Sequence, residues 1–219
     1  NNMRRIYTFL LMLLVAACVY AQASPESDFE FNSETGTITK YKGTGGEVII
    51  PSTIGGVAVK KLGSSSFQGC TSLTIVSVPS GVISIGDQAF LGCSNLGNVV
   101  LPESLTSIGV GAFERCTTLG DIVIPSHISN IMDYTFYGCT LLKSVDLPSN
   151  ITSIGSYALK NCTNLASFVI PNGVTSIGGG VFEGCTILSD IAIPSTLQSM
   201  GNNNFTGCTK PNTINVDIA

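Results

Sequence analysis

Asp87–Gly109 reads DQAFLGCSNLGNVVLPESLTSIG, and its key residues return every 23 positions. Cys70, Cys93, Cys116, Cys139, Cys162, Cys185 and Cys208 keep that spacing without exception. Pro79, Pro102, Pro125, Pro148, Pro171 and Pro194 keep it too, as do Phe67, Phe90, Phe113, Phe136, Phe182 and Phe205, with Leu159 standing in once. A fixed period of this length is the signature of stacked supersecondary units. Within the quoted copy Leu96, Val99, Leu101, Leu105 and Ile108 are the recurrent aliphatic positions. Val99 and Leu101 alternate with Asn98 and Val100, the period of a strand buried on one side. Pro102 ends that strand by removing a donor. A second extended piece, Leu105 to Ile108, precedes Gly109, and the AF-x-G-C segment has room for about one turn of helix, its Phe and Cys facing inward. Each coil is therefore expected to run strand, bend, short strand, helical turn.

One coil cannot bury its own apolar side, so the coils must stack, with neighbouring strands ~4.8 Å apart. Equivalent residues then form ladders, and the row Ile85, Ile108, Ile131, Ile154, Ile177, Met200 reads as core. The ends are less regular. Asp28–Phe31 and Thr37–Tyr41 flank Asn32–Gly36 as a hairpin, Glu47–Pro51 is a repeat-like strand, and Gly55-Gly56 marks a turn. The expected organisation is a leader over 1–23, an N-terminal β cap and first coil over 24–63, and repeats over 64–219. The repeats amount to about six full copies and a partial one. At the far end Pro211, Asp217 and Asn202-Asn203-Asn204 read as a blunted edge, and a truncated array would read the same way.

Composition narrows the function. Only 11% of the 219 residues are charged, Trp is absent and His127 is the sole histidine. The net charge of −4 and the lack of a basic run speak against nucleic acid as a partner. Arg4 and Arg5, the apolar stretch Ile6 to Tyr20 and the small-x-small site Ala21-Gln22-Ala23 form a secretory signal, too short for a membrane span. Its removal leaves eight bases against fourteen acids, a net −6. Val15-Ala16-Ala17-Cys18 also has the form of a bacterial lipobox, in which Cys18 is lipidated and anchors the chain to a membrane. The competing reading discards Cys18 with the signal, and the apolar Val19 and Tyr20 running on into Ala21 favour it. Either way the protein is expected outside the cytoplasm, secreted or at the cell surface, an outer-membrane lipoprotein being one form.

The pattern AF-x-G-C-T-x-L-x-x-I-x-I-P-x-x-(V/L)-T-x-I-G resembles the BspA-like leucine-rich-repeat family of surface proteins, closely over residues 64–209. Gly45–Gly63 is similar to that family's opening coil. Departures are small: Met132 replaces one Gly, Ala158-Leu159 replaces Ala-Phe, and Arg115 or Asn161 replaces the Gly before Cys. The resemblance implies a right-handed solenoid, a surface location and adhesion to host or neighbouring-cell proteins. It implies no specific ligand.

No residue cluster argues for catalysis, a cofactor or a metal. The repeat cysteines are odd in number, occupy one inward position and include no C-x-x-C pair, so they read as an unpaired buried ladder. His127 falls at a variable, solvated bend position with no repeated carboxylate or Cys partner. Gly178-Gly179-Gly180 is a coil corner with no Lys-Ser/Thr after it. The sequons at Asn150, Asn161 and Asn204 arise from the repeat's own Asn and Thr preferences.

The informative surface is the outward side of the main strand. One outward row reads Ser77, Val100, Val123, Asp146, Val169, Ala192, Asn215, and the next Ile75, Asn98, Asp121, Ser144, Ser167, Asp190, Thr213. Val100, Val123 and Val169, rimmed by Asp121, Asp146 and Asp190, are the candidate protein-binding face, although Val is also simply a good sheet residue. The expected function is a non-enzymatic binding protein for an extracellular-matrix or cell-surface protein. The rival is a spacer or stalk without a ligand of its own. A glycan reading would require aromatic residues on the outward rows, and these rows carry none.

Overall fold

The computed structural model describes residues 22–209 and the strand 213–216. The expected leader with Cys18, and likewise Pro211 and Asp217, fall outside the described residues, residues 22 and 23 excepted. The cap opens with a 3₁₀ turn, Glu26–Asp28, then the antiparallel hairpin β1 (Phe29–Asn32) and β2 (Thr37–Tyr41). The Asn32 side chain accepts the amides of Glu34 and Thr35 in its turn. Strand β3 (Gly46–Ile49) starts the main strand row. A second hairpin, β4 (Thr53–Ile54) and β5 (Val57–Ala58), turns at Gly55 and Gly56, whose φ values of 56° and 78° suit glycine best. Strand β6 (Lys61–Leu62) returns the chain to the second row.

From there the coils repeat. The main row continues through β7 (Leu73–Ser77), β9 (Asn98–Val100), β11 (Asp121–Val123), β13 (Ser144–Asp146), β15 (Ser167–Val169), β17 (Asp190–Ile193) and β19 (Thr213–Val216). The second row runs β8 (Ser84–Ile85), β10 (Ser107–Ile108), β12 (Asn130–Ile131), β14 (Ser153–Ile154), β16 (Ser176–Ile177) and β18 (Ser199–Met200). All pairings in the array are parallel and join residues 23 apart, such as Ile108 with Ile85 and Val99 with Val76. The result is a β-solenoid of about seven turns.

The expected helical turn takes a different form. At the corner, alternate amides bond within the coil and to the next one. Ala89, Leu91 and Cys93 donate to the carbonyls three residues back, at 3.3, 3.0 and 3.1 Å. Gln88, Phe90 and Gly92 donate to Val110, Ala112 and Glu114 of the following coil, each at 2.8 Å. A continuous helix would spend every amide inside its own segment. Chained turns leave half of them to join coils.

Phe67, Phe90, Phe113 and Phe136 form a stacked spine with centroids 4.9–5.8 Å apart, extended into the cap by Tyr41 and Phe29. Leu159 interrupts the spine, and the same coil places a ring elsewhere. Phe168 on β15, where other coils carry Val or Ile, meets Phe182 edge-on at 5.3 Å. The cysteines are free thiols, as the ladder reading expects; Cys93 to Cys185 are buried and the terminal Cys70 and Cys208 half-buried. Each thiol from Cys93 onward donates to a carbonyl of the previous coil's Phe-row residue, as Cys93 Sγ to Phe67 O at 3.0 Å and Cys116 Sγ to Phe90 O at 3.2 Å. Burial pushes the Cys93 and Cys185 thiols up to about 12 and those of Cys116, Cys139 and Cys162 well above their ordinary value.

The aliphatic row Ile85 to Ile177 is buried, but Met200 is 37% exposed. It lies on β18, the last strand of its sheet, with no described strand beyond it to cover it. In the last described coil, buried Asn204 accepts the Val181 amide at 2.7 Å and donates to Gly178 O and Gly201 O.

Strand pairing is incomplete at two coil interfaces: the main row is open between β13 and β15, where β14 and β16 still pair, and at the other interface both rows are open. Between the coil of β9–β10 and that of β11–β12 neither strand row is paired, although the corner bonds, such as Phe113 N to Thr135 O at 2.9 Å, continue. In the second row the cause is Met132. A Cβ at Gly86 would lie 2.5 Å from Ser64 N, and one at Gly109 2.5 Å from Asp87 N, so this row admits only glycine at full closeness. Met132 holds the two coils apart, and it walls a shallow groove of about 380 Å³ beside Ser84, Ser107 and Gly109.

Candidate functional site

The main strand row sets every candidate residue on one side of the solenoid, because inward Ile122 and Phe168 force their neighbours outward. On β11, Asp121 and Val123 are exposed, facing Ser144 and Asp146 of β13 in register. The Ser144 hydroxyl donates to Asp121 Oδ1 at 2.6 Å, which fixes that carboxylate on the sheet. Val169 on β15 is 75% exposed, the highest value among the large apolar side chains described, and pairs in register with Ala192. Asp190 on β17 is exposed and accepts from Ser189 at 3.0 Å. Val123 is 41% exposed, whereas Val100 is half-buried beside buried Ser77. The apolar strip is therefore open from β11 onward, and Asp146 divides it between Val123 and Val169.

His127 lies at an exposed bend, its Nδ1 3.0 Å from Glu103 O, while Ser126 donates to the Glu103 carboxylate. Ser104, Asn150 and Thr196 at the same repeat position also reach the preceding coil, donating to the carbonyls of Val82, Ile128 and Val174, a repeat position two residues beyond the one His127 contacts. Their role is to tie bends together. Among the described residues no group of three or more His, Cys, Asp or Glu could hold a metal ion, and no helix is long and apolar enough to cross a membrane. Asn204 is buried and fully bonded, so its sequon is closed to modification in the folded chain.

A second constellation escaped the strand-based reading. Tyr134, Tyr137 and Tyr157 gather on the corner column: Tyr134 stacks on Tyr157 at 5.2 Å and 28°, and tilts against Tyr137 at 5.8 Å and 54°. The Lys160 ammonium sits 5.1 Å over the Tyr157 ring and 3.0 Å from Glu183. Its signal was in the sequence: no other coil carries Tyr two residues before, or one after, the Phe row.

The family model described as the BspA type leucine-rich repeat region matches residues 60–189 and 152–218, in six copies. A search of curated proteins finds no match. Among solved structures, the leucine-rich repeat protein of T. pallidum is 28% identical over 86% of this chain and 90% of its own, with a TM-score of 0.60. A leucine-rich repeat protein from Eubacterium ventriosum is 27% identical over 83% of this chain, with a TM-score of 0.73; this chain spans 48% of it. A leucine rich cell surface protein from Faecalibacterium prausnitzii shares the fold, at 24% identity over 91% of this chain and 77% of its own, with a TM-score of 0.53. The family model and the 23-residue coils cover the same part of the sequence: the chain belongs to the BspA-type leucine-rich repeat family.

Proposed function

We propose that the protein is an exported binding module that holds a protein partner along the outward face of β11 to β17. The observation that carries this reading is the exposure of Val123 on the β11–β13 sheet and of Val169 on the β15–β17–β19 sheet, beside Asp121, Asp146 and Asp190. Exposed aliphatic side chains on a regular sheet contribute little to the stability of their own coil, and become valuable when a partner covers them. The carboxylates favour a partner with basic groups at its rim and make encounter salt-dependent. Residues 1–23, with their paired arginines, apolar run and small-x-small site, support export, with adhesion at a cell surface as the role.

The test is binding of the purified protein to a panel of extracellular-matrix and cell-surface proteins, beside a Val123→Glu/Val169→Glu variant whose fold is checked by circular dichroism. Saturable binding lost in the variant is the expected result. Binding retained by the variant moves the site to another face, and no binding across the panel favours the spacer reading.

A further inference from the structure

We propose that Tyr134, Tyr137 and Tyr157 form a second binding site, on the corner column, that takes the pyranose rings of a saccharide. The first ground is placement against the interest of the fold. The position two residues before the Phe row is left-handed in every coil, with φ from 55° to 63° at Ser65, Gln88, Gly111, Tyr134, Tyr157, Gly180 and Asn203. Gly or Asn suits that conformation, and a bulky aromatic residue there is an outlier that costs stability. Two tyrosines accept that cost in adjacent coils, and Tyr134 remains 37% exposed, so the core does not repay it.

The second ground is preorganisation. The rings brace one another, and Tyr157 leans over Gly180, where an added Cβ would lie 2.5 Å from its ring. Locked rings bind without first losing rotamer freedom. The third is chemistry. A pyranose offers an apolar C–H face and a rim of hydroxyls; this patch offers phenol rings, and at its edge the paired Lys160 and Glu183 as donor and acceptor. The three phenol hydroxyls have no hydrogen-bond partner among the described residues. A few fixed polar groups around aromatic surface are what small-molecule sites are made of.

Size favours a saccharide over a protein. Three tyrosines carry roughly 450–750 Å² in total, much of it turned against each other here, whereas a protein partner covers about 800 Å² on each side. The site lies on the corner column, apart from the outward strand face, and does not rest on the function proposed above.

The test uses the whole protein with four oligosaccharide probes: chitotetraose, maltopentaose, mannopentaose and a hyaluronate hexasaccharide. Since the chain has no Trp, tyrosine emission reports binding directly, with saturation-transfer NMR identifying the sugar protons in contact. The variant Tyr134→Asn/Tyr157→Gly installs residues that the repeat itself uses at Asn203 and Gly180, so it folds and its melting temperature is not lowered. The expected result is binding of at least one probe with Kd of about a millimolar or tighter, weakened about tenfold or more in the variant. The proposal is overturned if no probe binds at about 10 mM, or if the variant binds equally well. Loss in the variant of binding to a protein alone would also overturn it, and would give the patch to a protein partner.

Discussion

Replacing Met132 by Gly should close the second strand row between β10 and β12 and stabilise the protein. At the intact interfaces the glycine amide donates to the preceding coil, as Gly109 N to Ile85 O at 2.9 Å and Gly155 N to Ile131 O at 2.8 Å. The amide three residues earlier does the same, as Thr106 N to Ile83 O at 2.9 Å and Thr152 N to Ser129 O at 2.8 Å. Neither Met132 to Ile108 nor Ser129 to Thr106 makes that bond among the described residues. Two restored bonds contribute about 0.5–1.5 kcal/mol each. Glycine's added freedom in the unfolded chain takes back about 0.5–1 kcal/mol, and little apolar burial is lost because Met132 is 41% exposed. The net expectation is about 1 kcal/mol of added stability. The mirror variant, Gly155→Met, drives a Cβ into the Met132–Asp133 backbone and should cost about 2–4 kcal/mol. Urea unfolding measures both, and hydrogen exchange at residues 129 and 132 localises the first. If Met132→Gly leaves those amides exchanging as before, or if Gly155→Met is tolerated, the steric account of the gap is wrong.

Four further outcomes follow from the core and the outer face. Phe168→Val alone should cost about 2–3 kcal/mol through the cavity beside Phe182, and Leu159→Phe alone about 1–3 kcal/mol through crowding, while the double variant recovers most of both; a double-mutant cycle that simply adds would refute the exchange of ring positions. Ellman's reagent at pH 8 should find the native thiols from Cys93 to Cys185 unreactive and Cys70 and Cys208 slow, with all seven repeat thiols titrating in denaturant. Their raised folded values make the stabilising contribution complete below about pH 8.5, the unfolded value, and lost as pH climbs towards about 12. A melting temperature that stays level from pH 8 to 11 would contradict it. Val169→Glu alone should change the melting temperature by under about 2 °C, since that side chain is already in solvent.

What could be read from the sequence was whatever repeats. The Phe, Pro and Cys periods define the coil, the alternation around Val99 and Leu101 gives the strand, and Gly55-Gly56 marks the cap hairpin, because these patterns come from local backbone and burial rules. The unread parts come from relations between coils. Met132 was visible as a departure from glycine, but its effect depends on how closely the next backbone approaches. Asn204 read as a polar edge residue and instead bonds three backbone groups of the last turns. The tyrosines lie on a corner that period-two strand reasoning does not examine, and half-burial of Val100 has no counterpart in its own sequence position.

The corner column has a mechanical consequence. Its inter-coil bonds, like those of the strand rows, lie along the solenoid axis, so a pull between the two ends loads the interfaces in series. Under such tension each interface bears the same force, and extension begins wherever the fewest bonds share it. That place is the gap between the β9–β10 and β11–β12 coils, where the corner ladder carries load that elsewhere is divided with paired strands. A stretched molecule would therefore part there first, as a fuse does, leaving the cap with its first coils on one side and the Val169-bearing coils still wound on the other.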